Sequence, residues 1–319
     1  MLKVGIVGVG KVGRRRAHLY SQIDRVKLVG LVDKQDEKAL EYAQVFGVKP
    51  YSTLEELVAA ENPDMIDICL PTFDQKEAAV KAAALGKHVF CQNPIANSEA
   101  DAKEMILASR KAGVQLFVSN PLQFSPEYEK MKNLINQQSV GRVGTVRIII
   151  DKYVERFDYE KSNELLLQLL VNEIEWLQSI FGNVERIYAK GLKQQNEYVN
   201  VIYGSLRFEN GLIVHVDAKV IEGSHKDRLF LEAAGEKGVL SYQSEEAVPI
   251  YASYYEKTPS SCNKSVYAPY LEELKDVKNH FHSYQHDGQA AFHALKCGLA
   301  VFRSIENNEV ISLGQGARV

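Results

Sequence analysis

The 319-residue chain has only four cysteines, Cys69, Cys91, Cys262 and Cys297, and no C-x-x-C pair among them. That scatter excludes a zinc module and a disulfide scaffold, and it suits a reducing compartment. No run approaches about 18 uninterrupted apolar residues, so a membrane-spanning helix is not expected. Neither sign of charge dominates: 38 Lys and Arg stand against 41 Asp and Glu, a formal net charge of −3. A polybasic membrane anchor and a nucleic-acid-binding face are therefore not expected either. The opening Met1-Leu2-Lys3-Val4-Gly5-Ile6-Val7-Gly8 lacks the longer apolar region and small-residue cleavage site of a signal peptide, which predicts a cytoplasmic protein. There is no internal repeat, no low-complexity segment and no flexible linker. Hydrophobic residues make up 45% and charged residues 25%, near the globular average. At about 150 residues per domain, the length predicts two domains.

Short apolar runs alternate with helical patterns over the first 120 residues. Strands are predicted at 2–7, 27–32, 65–70, 88–91 and 114–119, and helices at 11–24, 37–46, 75–85 and from Ser98 onward. Asp101 follows Ser98 at capping-box spacing. This alternation predicts a parallel sheet covered by helices on both faces. After Pro121 the rhythm changes. Helices are expected at 126–137, 163–181 and 287–305, and strands at 143–153, 184–189, 198–208, 212–220 and 228–233. Glu209-Asn210-Gly211 between two of these strands signals a hairpin. The expected architecture is an α/β Rossmann domain over 1–120 and an α+β domain over 121–319 with a mainly antiparallel open sheet.

Gly8-Val9-Gly10-Lys11-Val12-Gly13 is a G-x-G-x-x-G that follows a predicted strand and opens a predicted helix. Asp33 ends the second strand, 20 residues beyond Gly13. In this context the pattern is a dinucleotide-binding fingerprint. Gly8 permits the tight turn, Gly10 lets backbone amides approach a pyrophosphate, and Gly13 allows close packing of helix on strand. The helix N-terminus, with Lys11 and Val12, stabilises the phosphate charge. Asp33 accepts hydrogen bonds from the adenosine ribose diol and repels a 2′-phosphate, so NAD is expected rather than NADP. Lys34 and Arg14 offset part of that repulsion. The run Arg14-Arg15-Arg16 either supplements phosphate binding or is a solvated helix start.

Further stretches extend almost end to end. They are 51–57 (YSTLEEL), Gly86-Lys87-His88-Val89-Phe90-Cys91-Gln92-Asn93-Pro94, Phe124-Ser125-Pro126, Gly141-Arg142-Val143-Gly144, Gly235-Glu236-Lys237-Gly238 and Asp287-Gly288. With the phosphate loop they make the chain resemble the Gfo/Idh/MocA family of oxidoreductases. The resemblance implies a Rossmann domain, an α/β second domain whose open sheet mediates assembly into a homodimer or homotetramer, and a small-molecule, sugar- or cyclitol-like substrate. It also implies cofactor contacts from Leu70, Pro71, Gln75, Gln92 and Asn93, and a cis bond at Asn93–Pro94.

The chain departs from the family at the positions that carry its chemistry. The family's "E-K-P" lysine is Asn93, preceded by Gln92. Its "D-x-x-x-H" aspartate and histidine are Gln168 and Asn172. The "T-P-N-x-x-H" histidine is Gln75, an arginine before Phe124 is Gln123, and the glycines ahead of the later helix are Ser162-Asn163-Glu164. Amides hydrogen-bond but cannot carry a proton near neutral pH. General acid–base help is worth about 10²–10⁴ in rate, so another group must supply it if the usual oxidation occurs. Tyr153, Glu155, Arg156, Tyr159 and Lys161 precede the altered helix, and Glu173 and Glu175 lie on it. These charges are expected to be solvated at a rim, with Lys161 the residue able to enter the site. Gln168 and Asn172 share one helix face, and Leu165, Leu169 and Glu173 are expected on another. His282 and His286 have helical metal-ligand spacing but no third ligand in register, so no metal is expected. Cys69 and Cys91 are expected to be buried small hydrophobes. Three functions follow: an NAD-dependent oxidoreductase with non-standard acid–base residues, an NAD-binding pseudoenzyme or sensor, or, as the resemblance implies for some relatives and ranked last because it still needs acid–base groups, transient oxidation by bound nicotinamide during glycoside cleavage.

Overall fold

A computed structural model describes residues 1–156, 159–193, 198–244, 251–252, 267–281 and 288–314, and of residues 36, 159–161, 193, 251 and 252 the backbone alone. The chain forms two compact units. One joins Met1–Pro121 to Tyr267–Phe292, and the other joins Leu122–Val266 to His293–Ala317. The boundary expected at 120/121 lies beside the first break. The return of the chain to the first unit at Tyr267 is not expected from the sequence.

The first unit runs β1 (Leu2–Val7), α1 (Lys11–Tyr20), β2 (Val26–Val32), α2 (Asp36–Phe46), β3 (Lys49–Tyr51), α3 (Leu54–Glu61), β4 (Met65–Ile68), α4 (Thr72–Ala84), β5 (His88–Gln92), α5 (Glu99–Ala112) and β6 (Leu116–Ser119). Its sheet has the order β3-β2-β1-β4-β5-β6, with every pairing parallel. Met65, Ile66 and Ile68 on β4 are buried on both faces, as a doubly covered parallel sheet requires. Thr53 and Ser98 cap α3 and α5 by accepting the N–H of Glu56 and Asp101, and Gly47 and Gly113 end α2 and α5 in the left-handed region. Strand order reverses between β1 and β4, which opens a crevice at the C-terminal ends of these strands.

The second unit runs α6 (Pro126–Asn136), β7 (Val143–Val154), α7 (Tyr159–Phe181), β8 (Val184–Lys193), β9 (Val199–Phe208), β10 (Ile213–Glu222), β11 (Arg228–Gly235), β12 (Gly238–Gln243) and β13 (Tyr251–Ala252). Helix α8 (Ala268–His280) follows in the chain and belongs to the first unit; α9 (Gln289–Asn307), which begins there, and strand β14 (Ile311–Ser312) complete the second. The eight strands lie in the order β13-β12-β11-β7-β10-β9-β8-β14, and only β7 and β10 pair in parallel. Val146, Ile148, Val214, Val216, Ile202 and Leu206 line the buried face of this sheet, and Leu166, Leu167, Leu170, Val171, Ile174 and Leu177 are among the buried residues of α7. Gly298 brings α9 close to α7: a Cβ there would lie 2.8 Å from Leu167 and Val171.

Several elements differ from expectation. β3 holds Pro50, which a strand tolerates only at a sheet edge, and it is the edge strand here. Helix α1 stops at Tyr20, and Arg25 adopts a left-handed φ of 62° before β2. Helix α7 begins at Tyr159, ahead of the expected 163. Helix α8, absent from the sequence reading, puts Leu274, Val277 and Phe281 into the core of the first unit with Val4, Ile6, Phe90 and Phe117. Within that core Arg16 pairs with Asp67 and lies 4.2 Å over the Phe90 ring, and the Tyr20 hydroxyl donates to Asp67 at 2.9 Å.

Candidate functional site

The G-x-G-x-x-G sits at the crevice where strand order reverses, and each glycine has a separate geometric reason. Gly8 has φ +94°, and a Cβ there would stand 2.9 Å from the Cys69 carbonyl oxygen. At Gly13 a Cβ would fall 1.9 Å from the Gly8 oxygen, so α1 packs directly on the loop. Gly10 is different: nothing lies within 4 Å of where its Cβ would be. It is the N-cap of α1, no side chain caps it, and the first turn of the helix carries no acid. An uncapped helix start beside open space fits a pyrophosphate, which would accept the first-turn N–H groups that no side chain satisfies. Lys11 is exposed and Val12 half-buried at this mouth.

Asp33 follows β2 and is half-buried. Its Oδ2 accepts the Val9 N–H at 2.7 Å and its Oδ1 accepts the Gln35 N–H at 2.9 Å. The carboxylate is thus fixed against the phosphate loop. A carboxylate has about four acceptor positions, so two stay available for a ribose diol. The cations expected to offset Asp33 are both engaged. Lys34 lies 3.5 Å from Asp74 on α4, and Arg14 donates to the Tyr42 hydroxyl on α2 at 2.5 Å.

β1, β2, β4 and β5 are parallel, so the residues after them gather along one sheet edge. Leu70 and Pro71 follow β4, Gln92 ends β5 and Asn93 follows it. The Asn93–Pro94 peptide is cis, as expected. Gln92 donates from Nε2 to the Leu70 carbonyl at 3.3 Å, tying the two loops together. Asn93 is buried at the bend, with 4% of its surface exposed. Gln75 corrects its expected role as a cofactor contact. It is fully buried on α4, accepts the Gln92 N–H at 2.8 Å and donates to the Pro94 carbonyl at 3.0 Å. Its amide clamps the bend and reaches the site only through it.

In the second unit, α7 carries Leu165, Gln168, Leu169 and Asn172 on one half-buried strip. This corrects the expectation that the two leucines sit on a different face from the amides. The Lys161 side chain lies outside the described residues, as does that of Tyr159. Glu173 and Glu175 are buried, not solvated at a rim. Glu173 accepts the Tyr128 hydroxyl at 2.6 Å, and burial pushes its carboxyl up to about 7 against that hydrogen bond. Glu155 and Arg156 are exposed, and Tyr153 is half-buried at the end of β7. Asn163 accepts the Val199 N–H at 3.0 Å, a contact that a glycine at this position could not make. His282, His286 and Cys262 fall outside the described residues. Among the described residues no cluster of His, Cys, Asp or Glu could hold a metal. Cys69 and Cys91 are buried, and burial lifts both thiols, Cys91 to about 12, so neither is a nucleophile.

A parallel sheet with this glycine loop at its switch point and an acid after its second strand defines a dinucleotide-binding protein. Residues 2–120 match the model of an oxidoreductase family with an NAD-binding Rossmann fold, and 128–241 match the GFO/IDH/MocA C-terminal domain. The chain belongs to the Gfo/Idh/MocA family, and with it to the NAD-binding oxidoreductases. It is 25% identical, over 98% of both chains, to the myo-inositol 2-dehydrogenase of Thermotoga maritima. It is 24% identical to the D-apiose dehydrogenase of Paraburkholderia graminis, over 78% of this chain and 69% of that one. The WlbA dehydrogenase from Bordetella pertussis, solved with NADH and UDP-GlcNAcA, shares the fold with a TM-score of 0.80 at 22% identity, over 99% and 98% of the two chains.

Proposed function

We propose that the protein is an NAD-dependent oxidoreductase acting on a polyhydroxylated small molecule, a sugar or cyclitol, with its proton carrier moved off the family's usual positions. The observation that carries this reading is the complete dinucleotide cradle: Gly8, Gly10 and Gly13 around an uncapped helix start, with Asp33 fixed beside it. Gly8, Gly10, Lys11, Val12 and Gly13 hold the pyrophosphate, Asp33 the adenosine ribose, and Leu70, Pro71, Gln92 and Asn93 border the remainder. Bound nicotinamide supplies an acceptor for the hydrogen and electron pair leaving an alcohol carbon. The amides Asn93 in the first unit and Gln168 and Asn172 in the second are each able to hydrogen-bond a hydroxyl. None of them can take the hydroxyl proton. Glu164, Glu175 and Lys161 are the titratable residues whose backbone positions in α7 fall in line with Gln168 and Asn172 by helical spacing; Glu175 is buried, and Lys161 is also in line with Leu165. We assign Lys161 the proton.

The test is a screen of polyols, sugars and keto-sugars for NADH absorbance change at high enzyme concentration. Activity that falls by about 10²-fold or more in Lys161→Met, with NADH affinity retained, supports the assignment. No absorbance change with any substrate overturns the oxidoreductase reading.

A second reading, a non-catalytic NAD-binding protein, is favoured by Gln75. Two hydrogen bonds from its side chain clamp the 92–94 bend, while the residue the bend presents is an amide. Activity appearing only in the Asn93→Lys, Asn172→His variant would select this reading. In either case we infer a cytoplasmic homo-oligomer, a dimer or tetramer built on the outer sheet face of the second unit, and neither a membrane nor a nucleic acid as partner.

A further inference from the structure

The coenzyme preference of the proposed site turns on charge at the end of β2. Asp33 is fixed there by the Val9 and Gln35 N–H groups. A 2′-phosphate beside it would need a cation, and a nearby arginine or lysine is what usually accommodates that group. Two cations are within reach in sequence, Lys34 and Arg14, and the fold has occupied both. Arg14 is held by Tyr42: it donates to the hydroxyl, its guanidinium carbon lies 4.9 Å from the ring centroid, and its Nε donates to the Gly10 carbonyl at 3.4 Å. Lys34 Nζ lies 3.5 Å from Asp74 Oδ2. Asp74 belongs to the first turn of α4, and α4 follows β4. In the sheet β1 stands between β2 and β4. The Lys34–Asp74 pair therefore spans the end of β1, over the start of the phosphate loop.

We propose that Asp74 is a coenzyme-specificity residue: by holding Lys34, while Tyr42 holds Arg14, it keeps the acidic end of β2 closed to a 2′-phosphate and open to a ribose diol. The inference rests on the reading that this site binds a nicotinamide dinucleotide. The Lys34 side chain is 80% exposed and that of Asp74 30%, so the pair is screened and its effect is a matter of severalfold discrimination. Asp33 supplies the main repulsion, and Asp74 removes the charge that would cancel it.

The experiment is a fluorescence titration of the full-length, cofactor-stripped protein with NADH and with NADPH. The unaltered protein is expected to bind NADH more tightly. Asp74→Ala is expected to narrow the NADPH-to-NADH Kd ratio by about three- to fivefold, mainly through tighter NADPH binding. Asp74→Asn keeps a polar side chain in the first turn of α4 and is expected to do the same. Adding Lys34→Ala to Asp74→Ala is expected to restore the original ratio. An unchanged ratio in both single variants, with NADH binding intact, overturns the role of Asp74. So does a narrowed ratio that persists without Lys34. Saturable binding of neither coenzyme by the unaltered protein overturns the dinucleotide reading itself, and the inference with it.

Discussion

At the scale of single residues, the phosphate loop separates two reasons for being glycine that a motif cannot distinguish. Gly13 is glycine because of the protein: a Cβ would stand 1.9 Å from the Gly8 oxygen, and backbone atoms must move to admit it. Gly10 is glycine beside empty space. Gly13→Ala is therefore expected to destabilise the fold by roughly 1–3 kcal/mol or more, the range for overpacking, and to lose NADH binding as a consequence. Gly10→Ala is expected to change stability by no more than about 1 kcal/mol, the scale of an N-cap substitution, while weakening NADH binding at least tenfold. Thermal unfolding and NADH titration of both variants decide it. A large loss of stability in Gly10→Ala with normal NADH affinity would show that the open space is not a ligand's. The glycines and Asp33 were legible in sequence because the motif is local. The role of Gln75 was not, because its partners Gln92 and Pro94 lie at and just beyond the end of β5, on a different element from α4, and no spacing rule connects them.

At the scale of elements, α7 and α8 show two ways a helix escapes a sequence reading. Helix α7 is apolar nearly all round over Leu165–Leu170, so periodicity alone cannot say which leucines face the core, and Glu173, expected at a solvated rim, is buried. Helix α8 did carry a signal: Tyr270, Leu271, Leu274, Val277 and Phe281 recur at helical spacing. Its docking beside β6 is a long-range event without local trace. That docking buries Glu273, which accepts the Ser119 hydroxyl at 2.8 Å. Burial lifts the Glu273 carboxyl from its ordinary 4.5 to about 7, outweighing Arg16 and the Ser119 hydrogen bond. A carboxyl raised on folding stabilises below its ordinary value and loses that contribution as pH rises through about 7. The loss between pH 4.5 and 7 is on the order of 3 kcal/mol. Glutamine at 273 can still accept the Ser119 hydroxyl and does not titrate. Glu273→Gln is accordingly expected to gain stability over the unaltered protein at pH 8 and to show little difference at pH 4.5. Urea unfolding at both values checks this, and an advantage that shrinks as pH rises would refute it.

At the scale of the whole molecule, the second unit's sheet poses the question of what covers its other face. Strand register puts Lys190, Tyr203, Asp217, Ile149 and Phe230 in one row across that face, with Tyr188, His215, Arg147 and Glu232 in the next. Tyr203 is 56% exposed, and Tyr188, Leu192 and Ile213 are exposed beside it. Four large apolar side chains on one sheet face are more than scattered surface hydrophobes, and such a face marks an interaction site. Part of the charge on this face is paired within the sheet: Lys219 meets Asp217 and Asp151, and Arg228 meets Asp151. The rows carry charges of both signs, so an identical copy meets complementary groups where a two-fold axis brings the patch onto itself. Tyrosines at the core of such an interface are the residues whose loss weakens it most. Tyr203→Glu places a carboxylate at its centre without touching the buried side of β9. Light scattering is expected to report a multimer for the unaltered protein and a smaller species for Tyr203→Glu, with the dinucleotide site of the first unit still binding NADH. A monomer from the start, or a multimer indifferent to the charge, would mean that another surface does the assembling.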